Sequence, residues 1–254
     1  MRISRRQVLA LTLPGLVSGQ APTGRSLKIV CVGGHPDDPE SGCGGTLARY
    51  AAAGHRVTIV YLTRGEAGIA GKSHDEAAAI RSAECETACK ILGARPVFAG
   101  QIDGATVVDA KAAESMGRLL AAEQPDLVFT QWPIDTHPDH TAASLLTFRA
   151  WVTGGRHFEL YYYEVNAGSQ TLEFHPTDYV DITAFREKKK AALFAHRSQN
   201  GEEIYRRHHE VMENFRGREA GVAAAEGLVR LARSRVGLQA GLVPLAGAAR
   251  AAIA

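Results

Sequence analysis

The sequence predicts an α/β fold: a single Rossmann-like domain whose mainly parallel sheet is flanked by helices. Short apolar segments alternate with stretches that have helical periodicity, and helices of ten or more residues between strands are typical of parallel sheets with right-handed crossovers. A chain of 254 residues is long enough for one such domain, which we place at residues 25–233. Its first half contains strands at Leu27–Val32, Arg56–Leu62, Val97–Ala99 and Leu127–Thr130, and helices at Gly44–Ala53, His74–Leu92 and Ala110–Glu123.

The second half continues with further strands and helices. We expect the charged runs Lys188–Lys190 and His208–His209 to face solvent, and the cysteines Cys43, Cys85 and Cys89 to be packing residues. The predicted elements are strands at Phe158–Val165 and Tyr179–Asp181, then helices at Ala184–His196, Glu202–Asn214 and Glu219–Arg233.

The amino terminus has the pattern of an export signal. Arg5 and Arg6 precede an uncharged stretch, Val8–Val17, and the small residues Ser18, Gly19 and Ala21 follow it. Ten apolar residues are too few to cross a bilayer, which needs about 20, so we expect no stable membrane span. We predict a twin-arginine-type signal at residues 1–24, with export to the periplasm or the extracellular space. Residues 234–254 form a small-residue apolar tail.

Charge and cysteine content exclude two classes of protein. Without the predicted signal the chain has 26 basic and 27 acidic residues, so its charge gives no reason to expect a nucleic-acid partner. Four cysteines are too few for a disulfide scaffold of this length.

Two polar clusters follow predicted strands. The first cluster, His35–Glu40 (HPDDPE), follows the first strand, and the second, Trp132–His140 (WPIDTHPDH), follows the fourth. Ligands bind beyond the carboxyl ends of the strands in open α/β sheets. We expect Thr136 to cap the helix that follows, so that His137 and His140 share one helix face. Together the clusters offer two histidines and a carboxylate to a metal, with room for water.

These motifs resemble the PIG-L/LmbE-like family of metal-dependent N-acetylglucosaminyl de-N-acetylases, which includes the mycothiol and bacillithiol deacetylases. HPDD after the first strand and HPDH after a later one are the most specific features. Four further segments look like family segments: Gly42–Thr46 (GCGGT), Thr63–Gly68 (TRGEAG), Ile102–Gly104 (IDG) and His196–Gln199 (HRSQ).

The resemblance implies a role for each matching residue. His35, Asp38 and His140 match the metal ligands, and Asp37 matches the general base. His137 matches the residue that stabilises the oxyanion or protonates the amine, and Asp139 an acid that orients a neighbouring histidine. The implied metal is zinc, although iron(II) or another divalent ion suits the same ligands. As candidate substrate contacts we name Arg64, Glu66, Asp103 and His196.

The expected reaction is the removal of an N-acetyl group from an N-acetylglucosamine-type sugar or glycoconjugate by metal-activated water. An amidase that cleaves a larger N-acyl group from an exported glycan, lipid or antibiotic would use the same residues. The small-molecule substrate is the one partner that the sequence predicts, and the sequence is compatible with an oligomer.

Two other classes of protein were considered. His35, Asp37 and His140 also match the triad of a non-haem iron oxygenase, but the alternation of helices and strands does not suit the all-β folds that can carry this triad. A non-catalytic nucleotide-binding module would need a glycine pattern that GGHPDDPESGCGG lacks.

Overall fold

The computed structural model describes residues 25–231. The predicted signal at 1–24, the tail at 234–254 and the last two residues of the predicted domain lie outside this range and stay predictions. Within it, no helix combines the length and the apolar composition that crossing a lipid bilayer requires.

A seven-stranded sheet forms the centre of the molecule. Its strands are β1 (Lys28–Gly33), β2 (Arg56–Tyr61), β3 (Ala94–Phe98), β4 (Leu127–Gln131), β5 (Glu159–Tyr163), β6 (Asp178–Asp181) and β7 (Ala225–Arg230). They lie in the order β3-β2-β1-β4-β5-β7-β6. The first five pair in parallel, and β7 runs antiparallel to both β5 and β6. The predicted α/β fold with a mainly parallel sheet is confirmed.

The helices follow the predicted alternation. α2 begins after a capping box between Ser73 and Glu76, and it ends at Gly93, whose positive φ of 81° suits a residue without a side chain. The full set is α1 (Asp38–Ala52), α2 (His74–Leu92), α3 (Ala110–Glu123), α4 (Pro138–Thr153), α5 (Arg186–Ala195), α6 (Gly201–Ile204) and α7 (Glu210–Ala220). A π-helical turn, Tyr205–His209, joins α6 to α7.

Both faces of the sheet are buried. Ile29 and Cys31 of β1 face one core with α1, α2 and α5, whereas Val30 and Val32 face the other core with α3 and α4. This division follows from the alternation of side chains along a strand. The cysteines expected to be packing residues lie in the first core: Cys43, Cys85 and Cys89.

The prediction of a helix at Glu219–Arg233 is wrong. α7 ends at Ala220, where Gly221 adopts a left-handed conformation with φ 72°, and Ala225–Arg230 forms β7. Alanine, glutamate, leucine and arginine favour a helix in isolation. Here the segment lies between β5 and β6 and gains backbone hydrogen bonds on both sides, so tertiary pairing overrides local preference.

The prediction that Lys189 and His209 face solvent is also wrong. The Nζ atom of Lys189 lies 3.0 Å from Glu213 and 2.8 Å from Glu226, and all three side chains are buried. His209 is 4% exposed. Their neighbours Lys188 and His208 are exposed and half-buried, respectively. The charged runs therefore alternate between buried and solvent-facing residues.

The strand order changes direction between β1 and β4, and this creates the site. After β1 the chain passes to β2 and β3 on one side, and it then crosses through α3 to β4 on the other side of β1. The loops that follow β1 and β4 therefore leave the sheet in opposite directions, and this opens a crevice at the carboxyl ends of the two strands. Gly42 lets α1 lie close to β5, because a Cβ atom there would come within 2.1 Å of Tyr163.

Candidate active site

The first cluster occupies the turn between β1 and α1. Helix α1 begins at Asp38, not at the predicted Gly44, and it is interrupted at Cys43. Asp37 precedes it with φ 111°, which is rare for a residue with a side chain. Backbone strain of this kind occurs at functional sites, where the surroundings hold it in place. Because of this turn, the adjacent carboxylates of Asp37 and Asp38 point in different directions.

The second cluster begins α4. His137, not Thr136, is the residue that caps this helix: its Nδ1 accepts a hydrogen bond from the Asp139 amide at 3.3 Å. Pro138 occupies the first helical position, where a missing N–H costs nothing. The cap fixes the His137 ring beside His140, with ring centroids 4.6 Å apart.

The two clusters meet at Asp38. One carboxylate oxygen of Asp38 lies 3.1 Å from Nδ1 of His35, and the other lies 3.2 Å from Nε2 of His140. All three side chains are buried. The structure thus brings together the three predicted metal ligands from opposite sides of the crevice.

Three further aspartates contact these histidines. Nε2 of His35 lies 3.0 Å from Asp139 and 3.1 Å from Asp103, while Nδ1 of His140 lies 3.1 Å from Asp135. The carboxylate of Asp139 accepts two further hydrogen bonds, one from the Gly104 amide and one from the Thr106 hydroxyl. Asp139, which we predict to orient a neighbouring histidine, thus contacts His35.

This donor set suits a divalent cation. Burial alone would lower the pKa of His140, but the charge of Asp38 and hydrogen bonds to Asp135 and Asp38 raise it to about 9. For His35, hydrogen bonds to Asp103, Asp139 and Asp38 likewise outweigh burial and raise the pKa well above its usual range. The surrounding carboxylates thus favour positive charge between them. Two imidazoles and a carboxylate are common ligands of zinc and iron(II). Among residues 25–231, His35 and His140 have ring nitrogens close enough to share one ion together with His137, and the carboxylate of Asp38 contacts both rings.

Asp37 lies beside this group without joining it. Its carboxylate is 3.3 Å from the guanidinium of Arg81, which also donates to the backbone carbonyl of Pro36. Burial raises the pKa of Asp37, and the charge of Arg81 offsets part of the increase. A carboxyl group with a raised pKa is better suited to accept a proton near neutral pH than an ordinary aspartate.

A cavity of about 440 Å³ opens in front of these residues. Of the four predicted substrate contacts, Asp103 lines it. Arg64 is exposed, and its amide donates to the buried carboxylate of Glu66. His196 is fully buried, 3.3 Å from Glu40. Arg64, Glu66 and His196 do not line this cavity, and their substrate contacts stay predictions.

Sequence reasoning missed three residues of the site. Arg81 lies within α2 and looks like an ordinary charged residue of a helix. Asp135 belongs to the second cluster, and its position two residues before His137 could have identified it as a residue of the site. His209 lines the cavity from the π-helical turn, where a pair of histidines suggested a solvated surface.

We expect Asp135→Asn to weaken metal binding about 10- to 100-fold, the usual effect of losing a carboxylate that orients a metal-binding histidine. Asp135 contacts His140 and accepts from the His137 amide and the Thr171 hydroxyl, so asparagine keeps the shape but loses the charge. Competition with a chromogenic zinc chelator measures the affinity. Asp178→Asn, remote from the site, is the control. Equal zinc affinity in the Asp135→Asn and wild-type proteins would contradict this role.

Comparisons with known proteins agree with this geometry. The profile of the PIG-L family, described as GlcNAc-PI de-N-acetylase, matches residues 30–151, which contain both clusters. The chain is 32% identical over 148 residues to the 1D-myo-inositol 2-acetamido-2-deoxy-alpha-D-glucopyranoside deacetylase of Corynebacterium diphtheriae, covering 47% of this chain and 50% of the relative. It is 28% identical over 192 residues to the diacetylchitobiose deacetylase of Thermococcus kodakarensis, covering 70% and 72%.

A solved structure extends the likeness over most of the chain. The conserved protein TT1542 from Thermus thermophilus matches with a TM-score of 0.68 and 32% sequence identity, over 82% of this chain and 96% of that one. The match to the Corynebacterium relative spans only half of that protein's length. Both polar clusters, the sheet order and the sequence matches lead to one assignment. The chain belongs to the PIG-L family.

Proposed function

We propose that this protein is a metal-dependent hydrolase that removes the N-acetyl group from an N-acetylglucosamine-type amino sugar or glycoconjugate. The observation that carries the proposal is the meeting of His35, Asp38 and His140 beside Asp37 in an open cavity. A metal site and a separate carboxylate with a raised pKa are the two components that amide hydrolysis by water requires. The names of the two curated relatives support an acetamido sugar as the substrate.

His35, Asp38 and His140 would hold the metal, for which we propose zinc, with iron(II) as the alternative. When bound, the ion supplies Lewis acidity that polarises the amide carbonyl and makes water easier to deprotonate. Asp139 and Asp103 hold the ring of His35, and Asp135 holds that of His140, so the ligands are fixed in orientation before the substrate arrives.

Asp37 accepts the proton of the attacking water. Its carboxylate lies at the cavity and is not shared between the histidines as that of Asp38 is. Arg81 holds it in position from the side. After the attack, the same carboxyl group can deliver this proton to the nitrogen of the leaving amine, so that the C–N bond breaks.

His137 is placed to donate a hydrogen bond to the developing oxyanion. Burial and the positive charges of His35 and His140 lower the pKa of His137, so the ring is neutral. Because Nδ1 accepts from the Asp139 amide, the ring proton must be on Nε2. The products are acetate and a free amine.

The proposal is tested by acetate release from methyl N-acetylglucosaminide and N,N′-diacetylchitobiose. The protein is assayed after removal of metal and again after addition of zinc. We expect acetate only in the presence of zinc, in an amount equal to the amine formed. Zinc binding without acetate from either sugar would instead favour the amidase that cleaves a larger acyl group. Absence of binding of both zinc and iron(II) would refute the metal site.

We also propose that the enzyme acts outside the cytoplasm. The pattern of Arg5, Arg6 and the uncharged stretch Val8–Val17 supports this proposal. An exported enzyme would meet glycans or other extracytoplasmic amino sugars.

A further inference from the structure

Part of the cavity wall consists of uncharged side chains. We call this part the neutral wall. Its polar members can form hydrogen bonds without contributing charge, and its apolar members can pack against the faces of sugar rings. The neutral wall consists of Val165, Asn166, Gln170, Gln199, Ile204 and His209.

His209 is the histidine of this wall, and the π-helical turn positions it. A π-helical turn shifts the side chains of a helix relative to one another and occurs frequently at functional sites. The Nε2 atom of His209 is buried and has no hydrogen-bond partner among residues 25–231. Burial, together with the charge of Lys189, lowers the pKa of His209 to about 3. The ring is therefore neutral and carries one N–H donor and one acceptor nitrogen.

Asn166 provides a second polar atom without a partner. Its Nδ2 donates to the Gln170 side chain at 2.8 Å, which fixes the orientation of the amide. Its Oδ1 is buried and unpaired within the described part of the chain. Buried polar atoms are nearly always hydrogen-bonded, so two unpaired atoms on one wall require an explanation.

Both residues also border a smaller cavity, where the charged lining residues are paired with one another: Lys189 with Glu213 and Glu226, and Arg216 with Glu164. The volume of this cavity is about 20 Å³, enough for one water-sized group. A hydroxyl group matches this arrangement, because it can accept a hydrogen bond from the His209 ring and donate one to Oδ1 of Asn166.

The charges around the cavity disfavour an anionic substituent. Asp37, Asp38 and Asp103 line it, and Arg81 is the one lysine or arginine among its described lining residues. Arg81 is already paired with Asp37 and the Pro36 carbonyl. Without metal, His35 and His140 are also cationic, but each is already paired with aspartates. A phosphate on the substrate would therefore find no unpaired cationic side chain among these described residues.

We propose that His209 and Asn166 form a subsite for a hydroxyl group of an uncharged saccharide substrate, and that the enzyme prefers neutral acetamido glycosides to phosphorylated ones. This inference rests on the proposed function for the identity of the sugar. It assigns the neutral wall to substrate recognition, whereas the histidine and aspartate clusters perform the chemistry.

Equilibrium binding tests the subsite separately from turnover. Calorimetry with N,N′-diacetylchitobiose is carried out on zinc-loaded protein with the substitution Asp37→Asn, which should slow hydrolysis by about 10²- to 10⁴-fold. Adding His209→Leu should weaken binding about ten-fold, the upper range for one lost hydrogen bond. His209→Gln should retain part of the affinity. His208→Leu, a substitution of the same type one residue away, should change nothing.

Two further measurements complete the test. Asn166→Gly removes the Oδ1 acceptor while tolerating the positive φ of 47°, and it should also weaken binding if the fold is intact by circular dichroism. Metal-free protein, in which phosphate cannot gain from zinc, should bind methyl N-acetylglucosaminide at least about ten-fold more tightly than N-acetylglucosamine 1-phosphate.

The outcomes separate the two proposals. If chitobiose binds and His209→Leu weakens binding, but the wild-type protein releases no acetate, the proposed function fails and the subsite stands. If acetate is released and His209→Leu binds chitobiose as tightly as the Asp37→Asn parent, the subsite is refuted. Equal or tighter binding of the phosphorylated sugar refutes the preference for neutral substrates.

Discussion

Replacing Asp37 by asparagine is expected to lower kcat for acetate release by about 10²- to 10⁴-fold, the usual contribution of a general base. The amide cannot accept the proton of the attacking water. Asparagine tolerates positive φ values, so the turn before α1 should keep its shape. Because Asp37 is not one of the three proposed ligands, the variant should still bind zinc.

Parallel measurements of kcat and zinc content test this expectation. Asp109→Asn is the matched control, since asparagine also caps helices and Asp109 caps α3, away from the catalytic cavity. A rate near that of the wild-type protein would remove Asp37 as the base. Loss of zinc together with activity would instead assign it to the metal site.

The second large effect is expected on stability. Lys189→Met should lower the free energy of unfolding by about 3–5 kcal/mol, because it removes the cation between two buried carboxylates. Lys189 contacts Glu213 and Glu226, and Glu226 in turn accepts from the amides of Gly45 and Thr46 in α1. Methionine fills a similar volume but leaves Glu226 without a cationic partner and Glu213 with Arg186 alone.

Urea unfolding of the metal-free protein measures this effect without a contribution from bound metal. The exposed neighbour gives the control: Lys188→Met should change the free energy of unfolding by less than about 0.5 kcal/mol. If the Lys189→Met variant were as stable as the wild-type protein, the Glu213 and Glu226 carboxylates would have to be neutral or otherwise compensated.

The sequence predicted correctly those helices and strands that are determined by nearby residues, such as helix caps and short apolar runs. α2 and α3 have the predicted bounds because Ser73 and Asp109 cap them through their side chains. The first four strands were recognisable as short apolar runs, and three of them are buried along nearly their whole length. β7 was missed because the Ala-rich segment before Arg230 favours a helix, and only its pairing with distant strands makes it extended.

The same distinction applies to the site. His35, Asp38, His137 and His140 belong to two short motifs, and the strand order that brings the motifs together follows from the predicted parallel sheet. The burial of Lys189 and His209 depends on residues far away in the chain. Glu226 on the unpredicted strand is one of them, so the spacing of charges along their helices could not reveal it.

The conformation of Asp37 sets catalysis against stability at one residue. Left-handed backbone at a residue with a side chain costs of the order of 1–3 kcal/mol, and glycine would avoid that cost. Glycine has no carboxylate, however, so it cannot take a proton, and it would leave the buried guanidinium of Arg81 without its ionic partner. The strained backbone at position 37 is therefore the cost of one carboxylate that serves both Arg81 and the proposed reaction.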